Sequence, residues 1–588
     1  MKSLAYLNRF FWKYRLRFFS GILFISISTW FSLVPLELLG KGLDFALTAE
    51  TLHAPREQVV NILLRYGTEI ILYTLAYGFF LFLNRQTIIV MSRLIEYDMK
   101  NDVFDQYQRL DQGFYKRNNT GDLMNRISED VSRVRMYIGP AVMYATTTAI
   151  TIVLTMYFMF RDNMTLSLYV LAPLPVLAVS IYLVSNIINK KSLKVQQQLS
   201  LLSTHAQETF SGIRVVKAFT REETIQERFN REASEYKNRN MSLAKTEALF
   251  QPSMSLLIGM SIILTILIGS SEAIDGKTSP GTIASFVLYV IRLTWPIASL
   301  GWVTSLIQRA AASQERINEF LRIKPAISNP TNEALGLKGK IEFDNVSFVY
   351  EHSGVKAINE LSFTVEPGQS VAFIGRTGSG KSTIAQLMVR LFDATSGTVR
   401  IDGKDIRGVN LDELRDRTGY VPQEVFLFSE TIAGNIAFSA HDLRDIEKNR
   451  AAIEQAAKDA AVYSNIIEFP EKFDTLVGER GVTLSGGQQQ RISIARAILK
   501  QPQILIFDDC LSAVDTETED EILGNLRRIM QGKTTVIISH RVSSVRHADK
   551  VIVLDDGKVV EEGNHLALLE KKGVYWELYK KQIEDLQK

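Results

Sequence analysis

Hydrophobic and polar positions divide the chain into an apolar first half and a mixed second half. Four segments contain no charged residue, at 18–36, 136–160, 163–189 and 248–271. Each approaches or exceeds the roughly 20 apolar residues that an α-helix needs to cross a bilayer. The pattern therefore predicts four membrane-spanning helices.

Two weaker apolar segments bring the predicted number of spans to six. Residues 70–84 follow Arg65 and Glu69, and residues 278–308 are interrupted only by Arg292. The alternative for both is a helix buried in a soluble domain. We favour spans, because a connection between two flanking spans must cross the membrane an even number of times to keep the topology consistent.

Charge predicts the orientation of these spans. The whole chain is nearly balanced, with 67 Lys and Arg against 64 Asp and Glu, so its net charge does not indicate a nucleic acid partner. The first 17 residues carry only basic charges, which predicts that they lie in the cytoplasm. A signal peptide also begins this way, but this apolar run is too long and lacks a small-residue cleavage site. We expect a permanent anchor, with the C-terminal half returned to the cytoplasm by an even number of spans.

The polar connections predict the domain organisation. Residues 85–135 and 190–247 are long, charged and free of proline, which is typical of spans that continue as helices into the cytoplasm. Residues 324–338 contain two prolines and no apolar periodicity, which indicates a linker. Beyond it, short β-branched runs alternate with helical patterns. We predict an all-α six-helix transmembrane domain at 1–323 and an α/β domain with a largely parallel sheet at 339–588.

The segment VAFIGRTGSGKST at 371–383 has the pattern of a phosphate-binding loop between a strand and a helix. Backbone N–H groups of such a loop surround the β-phosphate of ATP, Lys381 reaches the β and γ oxygens, and Ser382 supplies a magnesium ligand. The predicted ATP-binding residues are Gly375, Arg376, Thr377, Gly378, Ser379, Gly380, Lys381, Ser382 and Thr383.

A second motif lies downstream, where the apolar run ILIF ends in Asp508 and Asp509. In phosphate-loop ATPases an aspartate at the end of such a strand holds Mg²⁺. Two acids after an apolar strand are common by accident. The position of the two aspartates along the chain makes the motif significant, because they follow the phosphate loop and the segment LSGGQQQR at 484–491.

The string LSGGQ resembles the signature motif of the ATP-binding-cassette (ABC) superfamily. It consists of Leu484, Ser485, Gly486, Gly487 and Gln488. The neighbouring motifs match in order: Tyr350 for the aromatic residue that stacks on adenine, Gln423 for the Q-loop, Ser512 and Asp515 for the D-loop, and His540 for the switch histidine. The resemblance implies Mg²⁺ ligands at Ser382, Gln423 and Asp508. It implies catalytic roles for Lys381, Gln423, Asp509 and His540.

The membrane half resembles the exporter branch of the same superfamily. The segments TGDLMNRISEDV at 120–131 and ETFSGIRVVKAFTREE at 208–223 are similar to its two cytoplasmic loops. The resemblance implies a half-transporter in a bacterial plasma membrane that works as a dimer, with ATP held between the phosphate loop of one subunit and the LSGGQ of the other. It implies export of amphipathic drugs or lipids, with a coupling helix near 212–219.

One position departs from the family pattern. The residue after the Mg²⁺-binding aspartate is usually a glutamate that polarises the attacking water, and here it is Asp509. A side chain one methylene shorter displaces the carboxylate, and about 1 Å of misplacement can cost on the order of a hundredfold in rate. This favours a heterodimer whose partner carries the glutamate, as in exporters with one degenerate site. His540 is retained, so a homodimer that works with Asp509 is the alternative.

Other function classes fit less well. Soluble cassette ATPases of DNA repair or translation lack six spans, importers of the superfamily keep their membrane part on a separate chain, and an ATP-gated channel would carry long regulatory insertions. The substrate is not readable from the aromatic residues of the spans (Trp30, Phe31, Tyr169 and Trp295), for which lipid or helix packing is the more common role. Arg292 either lines the transport path or is hydrated or paired for structural reasons. The single cysteine, Cys510, is interpreted as a small buried residue near a strand end.

Overall fold

The computed structural model describes residues 2–51, 55–440, 446–478, 484–510 and 516–586. The chain forms two compact units. One, the membrane unit, comprises residues 1–106 and 121–323. The other, the cassette unit, comprises residues 107–120 and 324–588.

Helices are the only regular secondary structure among the described residues of the membrane unit, as the apolar runs predict. A short 3₁₀ segment, Lys2–Leu7, precedes the first helix, and π-helical segments lie at Arg85–Ile89, Arg126–Asp130 and Tyr137–Ala141. The helices of this half of the chain are α1 (Asn8–Lys13), α2 (Arg15–Thr51), α3 (Arg56–Asn84), α4 (Val90–Arg109), α5 (Gln112–Arg117), α6 (Thr120–Asn125), α7 (Val131–Met136), α8 (Val142–Asp162), α9 (Met164–Leu171), α10 (Pro173–Ser211), α11 (Ile213–Ala218), α12 (Glu222–Ile274) and α13 (Pro280–Arg322).

Among the described residues, five helical stretches are long and apolar enough to cross a membrane. They are Arg15–Ala49, Arg56–Arg109, Thr120–Asp162, Glu222–Ile274 and Pro280–Arg322. The weak segment 70–84 lies inside such a stretch, in α3, and the weak segment 278–308 lies in another, α13, except for its first two residues. The predicted span at 163–189 is divided between α9 and α10, which meet at Ala172 and Pro173. A proline at the first position of α10 needs no helical N–H partner, so the new helix can begin there.

Helix α13 forms the centre of the membrane unit and packs against α2, α8 and α12. Its Phe286 and Tyr289 are fully buried in a cluster that also contains Leu33 of α2 and Phe158 of α8. By contrast, α3 leaves the side chains of large apolar residues exposed, including Leu72, Leu75, Phe79 and Phe82. In a chain that spans a bilayer, this exposed apolar surface suits contact with lipid.

The cassette unit contains two β-sheets. The strands are β1 (Ile341–Tyr350), β2 (Val355–Val365), β3 (Ser370–Gly375), β4 (Ser396–Ile401), β5 (Lys404–Asp405), β6 (Thr418–Val421), β7 (Ile504–Asp508), β8 (Thr534–Ile538), β9 (Lys550–Asp555) and β10 (Lys558–Gly563). Its further helices are α14 (Lys381–Met388), α15 (Leu411–Asp416), α16 (Ile432–Ala437), α17 (Arg450–Asp459), α18 (Tyr463–Glu468), α19 (Gly486–Leu499), α20 (Thr516–Met530), α21 (Val542–Val545), α22 (His565–Lys571) and α23 (Val574–Leu586).

The prediction of a largely parallel sheet holds for one of the two sheets. The six-stranded sheet has the order β10-β9-β3-β8-β7-β6, and all its pairs are parallel except β9 with β10. The strands β2-β1-β4-β5 form a separate antiparallel sheet. The short turn between β1 and β2 makes a hairpin, which can join only antiparallel neighbours. The sequence analysis did not foresee this second sheet.

The parallel sheet is buried on both faces, as expected for strands of this kind. Along β3, Val371 and Phe373 pack into one core, and Ala372 and Ile374 pack into another on the opposite face. The alternation follows from the two-residue period of a strand. Both cores fix the strand ends at which the polar motifs lie. Cys510 is buried just after β7, which confirms the interpretation of this residue.

The segment predicted as a linker is attached to the cassette through its backbone. The carboxylate of Glu413 accepts hydrogen bonds from the N–H groups of Leu335 and Gly336. That of Asp402 accepts them from the N–H groups of Lys338, Gly339 and Lys340. Two surface acids therefore satisfy donors that a segment without secondary structure would leave unpaired.

Candidate nucleotide-binding site

Four neighbouring parallel strands bring the polar motifs to one edge of the sheet. The strand β3 ends at the phosphate loop, β7 ends at Asp508, β8 precedes His540 and β6 precedes Gln423. Because parallel strands end on the same side, groups that are up to 165 residues apart along the chain meet there. Ligands of open α/β sheets bind outside this carboxyl edge.

The phosphate loop depends on glycine for its conformation. Gly380 has φ +93°, and a Cβ atom there would lie 2.3 Å from the carbonyl oxygen of Ala357. It immediately precedes α14, whose first N–H groups have no helical partner and suit an anion. Lys381 Nζ donates to the carbonyl oxygens of Gly375 and Arg376, each at 2.8 Å. The lysine side chain therefore folds back over its own loop.

A cavity of about 290 Å³ lies at this edge. It brings together all four predicted catalytic residues, most of the predicted ATP-binding residues and three apolar residues that the sequence analysis missed, Val355, Ala357 and Ile538. It is lined by Tyr350, Val355, Ala357, Thr377, Gly378, Gly380, Lys381, Ser382, Thr383, Gln423, Asp509, Ile538 and His540. The other predicted loop residues, Gly375, Arg376 and Ser379, lie in the loop but do not line the cavity. The predicted D-loop residues Ser512 and Asp515 fall outside the described residues.

Ser382 and Asp508 form a pair of oxygen ligands suited to Mg²⁺. Ser382 Oγ donates to Asp508 Oδ1 at 2.8 Å. Asp508 is buried, and this burial raises the pKa of its carboxyl to about 6, with a further contribution from the charge of Asp509. Hydroxyl and carboxylate oxygens are the ligands that Mg²⁺ prefers, and a nearby cation would favour the ionised carboxylate. The donor set therefore fits this metal.

Asp509 and His540 form a second pair beside the first. His540 Nδ1 lies 3.0 Å and 3.1 Å from the two carboxylate oxygens of Asp509. The backbone of Asp509 is in the left-handed region, with φ +48°. Aspartate and asparagine enter this region more readily than other non-glycine residues. The local backbone therefore suits the aspartate that departs from the family pattern.

The lysine of the phosphate loop lies close to these acids. Burial lowers the pKa of Lys381, and the charges of Asp509 and Asp508 act in the opposite direction. A partly buried ammonium group pointed at a glycine-rich loop is well placed to stabilise the anionic oxygens of a phosphate chain.

Tyr350 lines the cavity and contacts the side chains of Thr383 and Lys116. Its hydroxyl lies 3.0 Å from the hydroxyl of Thr383. The ammonium group of Lys116 lies 4.6 Å from the centroid of its ring. Lys116 belongs to the segment 107–120, where Asp111 caps α5 and also accepts from the N–H of Ala326 at 2.8 Å. The sequence gives no signal for this contact, because more than 200 residues separate Lys116 from Tyr350.

The LSGGQ segment does not line this cavity. Ser485 caps α19 in a capping box, in which Gln488 N donates to Ser485 Oγ and Ser485 N donates to Gln488 Oε1. Gly486 is exposed at the first position of this 14-residue helix. The segment thus presents a helix N-terminus outside the chain's own cavity.

Comparison with known proteins identifies the family. The family model for the ABC transporter transmembrane region matches residues 18–297, and the ABC transporter model matches residues 358–512. The probable multidrug resistance ABC transporter ATP-binding/permease protein YheI of Bacillus subtilis (strain 168) is 35% identical over 98% of this chain and 97% of its own length. The chain belongs to the ABC transporter family.

Other relatives of this ABC transporter point the same way. An ATP-dependent lipid A-core flippase of Syntrophus aciditrophicus (strain SB) is 35% identical over 83% of this chain and 80% of its own length. The multidrug resistance-like ATP-binding protein MdlA of Escherichia coli (strain K12) is 33% identical over 99% and 97%. A bacterial Atm1-family ABC exporter with ATP bound has a TM-score of 0.79 at 26% identity, covering 97% of this chain and 98% of its own.

These findings confirm several predictions. The fold is a helical transmembrane domain followed by an α/β ABC domain. The protein is an integral membrane protein that binds ATP and hydrolyses it to drive transport, with the architecture of a dimeric exporter.

Proposed function

We propose that this chain is one half of a dimeric exporter that moves amphipathic drugs or lipids across a bacterial plasma membrane, with its cassette in the cytoplasm. Relatives described as multidrug transporters and lipid A-core flippases support this substrate class. The single observation that carries the ATP-driven part is the cavity in which the phosphate loop, Asp509 and His540 meet.

The roles of the site residues follow from this geometry. Lys381 and the N–H groups at the start of α14 bind the phosphates of ATP, and Tyr350 stacks on its adenine. Ser382, Asp508 and the amide oxygen of Gln423 hold Mg²⁺, which supplies positive charge to the phosphate oxygens when bound. Asp509 orients the attacking water, and His540 holds the carboxylate of Asp509 in place.

The LSGGQ segment supports dimerisation. Gly486 and Gly487 expose the N-terminus of α19, which favours the γ-phosphate of an ATP molecule bound to a partner subunit. The second cytoplasmic loop supports the same arrangement, because α11 has no buried residue and leaves Val215 exposed. In this proposal α11 is the coupling helix that reaches the opposite cassette.

Within this dimer we favour a heterodimer in which this chain carries the slow nucleotide site. The reason is Asp509, because the carboxylate of an aspartate is one methylene shorter than that of the usual glutamate. The intact signature of this chain would complete the fast site of a partner that carries glutamate. The chain's own phosphate loop would then mainly hold ATP.

A homodimer is the second candidate, and two observations favour it. His540 is retained and paired with Asp509, so the arrangement of acid and switch histidine is intact. The left-handed backbone at 509 also suits aspartate better than glutamate. In this case hydrolysis proceeds at two equal sites with Asp509.

ATPase activity of the chain purified alone, and together with the product of any adjacent half-transporter gene, decides between them. A heterodimer predicts low turnover alone, rescue by the partner and higher turnover of Asp509→Glu. Asp509→Asn is the matched control, because it removes the charge and keeps the length. Robust turnover by the lone chain, with no increase in Asp509→Glu, would leave the homodimer.

Arg292 supports a polar or anionic group on the substrate. Its Nη2 donates to Ser32 Oγ at 2.9 Å, and its guanidinium carbon lies 6.0 Å from the ring centroid of Tyr77. Both partners are neutral, and Arg292 Nε is buried with no hydrogen-bond partner among the described residues. An unpaired donor of a cation inside a membrane helix is costly unless a ligand or water meets it. We propose that Arg292 lines the transport path.

A further inference from the structure

A side chain of the C-terminal helix forms two hydrogen bonds with the backbone of the switch segment. Gln582 of α23 donates from Nε2 to the carbonyl oxygen of His540 at 2.7 Å. Its Oε1 accepts from the N–H of Val542, also at 2.7 Å. We propose that Gln582 is a positioning residue, which fixes the backbone that carries His540 and thereby controls the rate of ATP hydrolysis. The inference rests on the proposed role of His540.

The backbone around His540 leaves the sheet and needs such support. Ser539 N donates to the carbonyl oxygen of Phe373 on the neighbouring strand β3 at 3.1 Å. Beyond it, Arg541 N donates to Ser539 Oγ at 3.0 Å, and α21 begins at Val542. The two bonds of Gln582 span the residues between the end of β8 and the start of this four-residue helix.

The side chain of His540 is not fixed by burial. It is 49% exposed, whereas the side chain of its partner Asp509 is 14% exposed. The ring can keep its distance of 3.0 Å from Asp509 Oδ1 only if its backbone stays in place. Because about 1 Å of misplacement can cost on the order of a hundredfold in rate, loss of this support should slow hydrolysis.

Helix α23, which carries Gln582, is anchored to the rest of the cassette unit by hydrogen bonds and by a buried side chain. The carboxylate of Glu561 accepts from the N–H groups of Val574 and Tyr575, at 2.6 Å and 3.1 Å, and so holds the first turn of the helix. Tyr575 is fully buried in the cassette core, and its hydroxyl lies 2.7 Å from Nδ1 of His565. Residues 575, 579 and 582 share one face of the helix. The buried face therefore carries Gln582 to the switch segment.

The chemistry at position 582 is specific. The two bonds require one donor and one acceptor on the same planar group, which the amide of glutamine supplies. Methionine has a similar length and provides neither strong donor nor strong acceptor. Glutamate keeps the acceptor for the N–H of Val542, but it places a carboxylate oxygen against the carbonyl oxygen of His540.

The test uses the full chain in its native dimer, with single-turnover hydrolysis of radiolabelled ATP and equilibrium binding of ATP measured separately. We expect Gln582→Met to lower the hydrolysis rate about tenfold, as the loss of two hydrogen bonds suggests, and to leave ATP affinity unchanged. Lys581→Met is the matched control, because its side chain is exposed one residue away. Gln582→Glu should likewise lower the hydrolysis rate and leave ATP affinity unchanged. It takes the place of Gln582→Met in the experiment if the methionine variant does not fold.

A double-mutant cycle with His540→Ala distinguishes positioning from a general structural role. If Gln582 acts through His540, Gln582→Met should cause no further loss of rate in the His540→Ala chain. Losses that multiply, or an unchanged rate in Gln582→Met and Gln582→Glu alike, would overturn the inference. An unchanged rate in His540→Ala would instead overturn the proposed role of His540, and with it the basis of this inference.

Discussion

The apolar residues of α3 and β3 have different structural roles. The most apolar 18-residue window of α3, in the membrane unit, contains no buried residue, although the helix is rich in leucine and phenylalanine. In the cassette unit, the five residues from Val371 to Gly375 of β3 are all buried. Apolar residues therefore predict an element in both units but not what the element contacts. The apolar residues of α3 face lipid in the membrane unit, whereas those of β3 face the protein core in the cassette unit.

The location of the polar residues, and the groups that they contact, also differ between the two units. In the cassette unit they stand at the ends of parallel strands, where the topology collects them into one cavity. In the membrane unit they pair between helices, as Thr148 of α8 and Ser299 of α13 do at 3.1 Å. A local motif can therefore reveal a site in the cassette, whereas a site in the membrane unit depends on which helix faces which.

This contrast explains how much of the molecule the sequence predicts. The phosphate loop predicts its cavity because glycine, lysine and serine act within nine residues of one strand-to-helix turn. The contact of Lys116 with Tyr350, and of Gln582 with His540, could not be predicted, because each joins segments that meet only in the folded unit. The antiparallel sheet was missed because a run of β-branched residues predicts a strand but does not indicate whether it pairs parallel or antiparallel with its neighbours.

The largest effect is expected from removing the lysine of the phosphate loop in the cassette unit. Lys381→Ala should abolish ATP-dependent transport, because it leaves the charge of the β and γ phosphates uncompensated. The side chain lines the cavity and faces the ligand, so thermal stability should hardly change. Transport into inverted vesicles measures this, with exposed Lys404→Ala as the control. Transport that persists in Lys381→Ala would show that this site does not drive it.

The second prediction tests the two kinds of apolar residue directly. Phe373→Ala in β3 should destabilise the cassette by about 3–5 kcal/mol, the usual cost of removing a fully buried phenylalanine. Phe82→Ala in α3 removes the same atoms from a side chain that is 57% exposed, and should cost much less in lipid. Thermal unfolding of the two variants in lipid nanodiscs compares them. Equal destabilisation would contradict the assignment of this face of α3 to lipid.

The third prediction concerns the polar site proposed in the membrane unit. Arg292→Met should weaken the stimulation of ATPase activity by anionic amphipathic substrates on the order of tenfold, as expected for loss of a hydrogen bond to a charged group. Arg292→Lys should retain part of the effect, because it keeps the charge. Unstimulated ATPase activity serves as the control. If Arg292→Met responded normally to every anionic and neutral substrate in a panel, the residue would have a structural role.

The smallest expected effect is a pH dependence at the magnesium ligands. Burial raises the pKa of Asp508 to about 6, above the value near 3.9 of an unfolded chain. The metal-free native state therefore binds this proton more tightly than the unfolded state. Between about pH 4 and pH 6 this group adds stability as the pH falls, and that contribution is lost as the pH rises through the folded pKa.

The same proton competes with the metal. A carboxyl group with a pKa near 6 is mostly protonated at pH 5.5, so the affinity for a divalent cation should be about fourfold weaker there than at pH 7.5. Mn²⁺, which also prefers oxygen ligands, reports this by electron paramagnetic resonance in the nucleotide-free chain. Asp508→Asn should remove the pH-dependent part, since the amide does not titrate. If the Mn²⁺ affinity of the unsubstituted chain were equal at both pH values, Asp508 would already be ionised at pH 5.5. Burial in the cassette unit would then not control the metal affinity of this carboxylate.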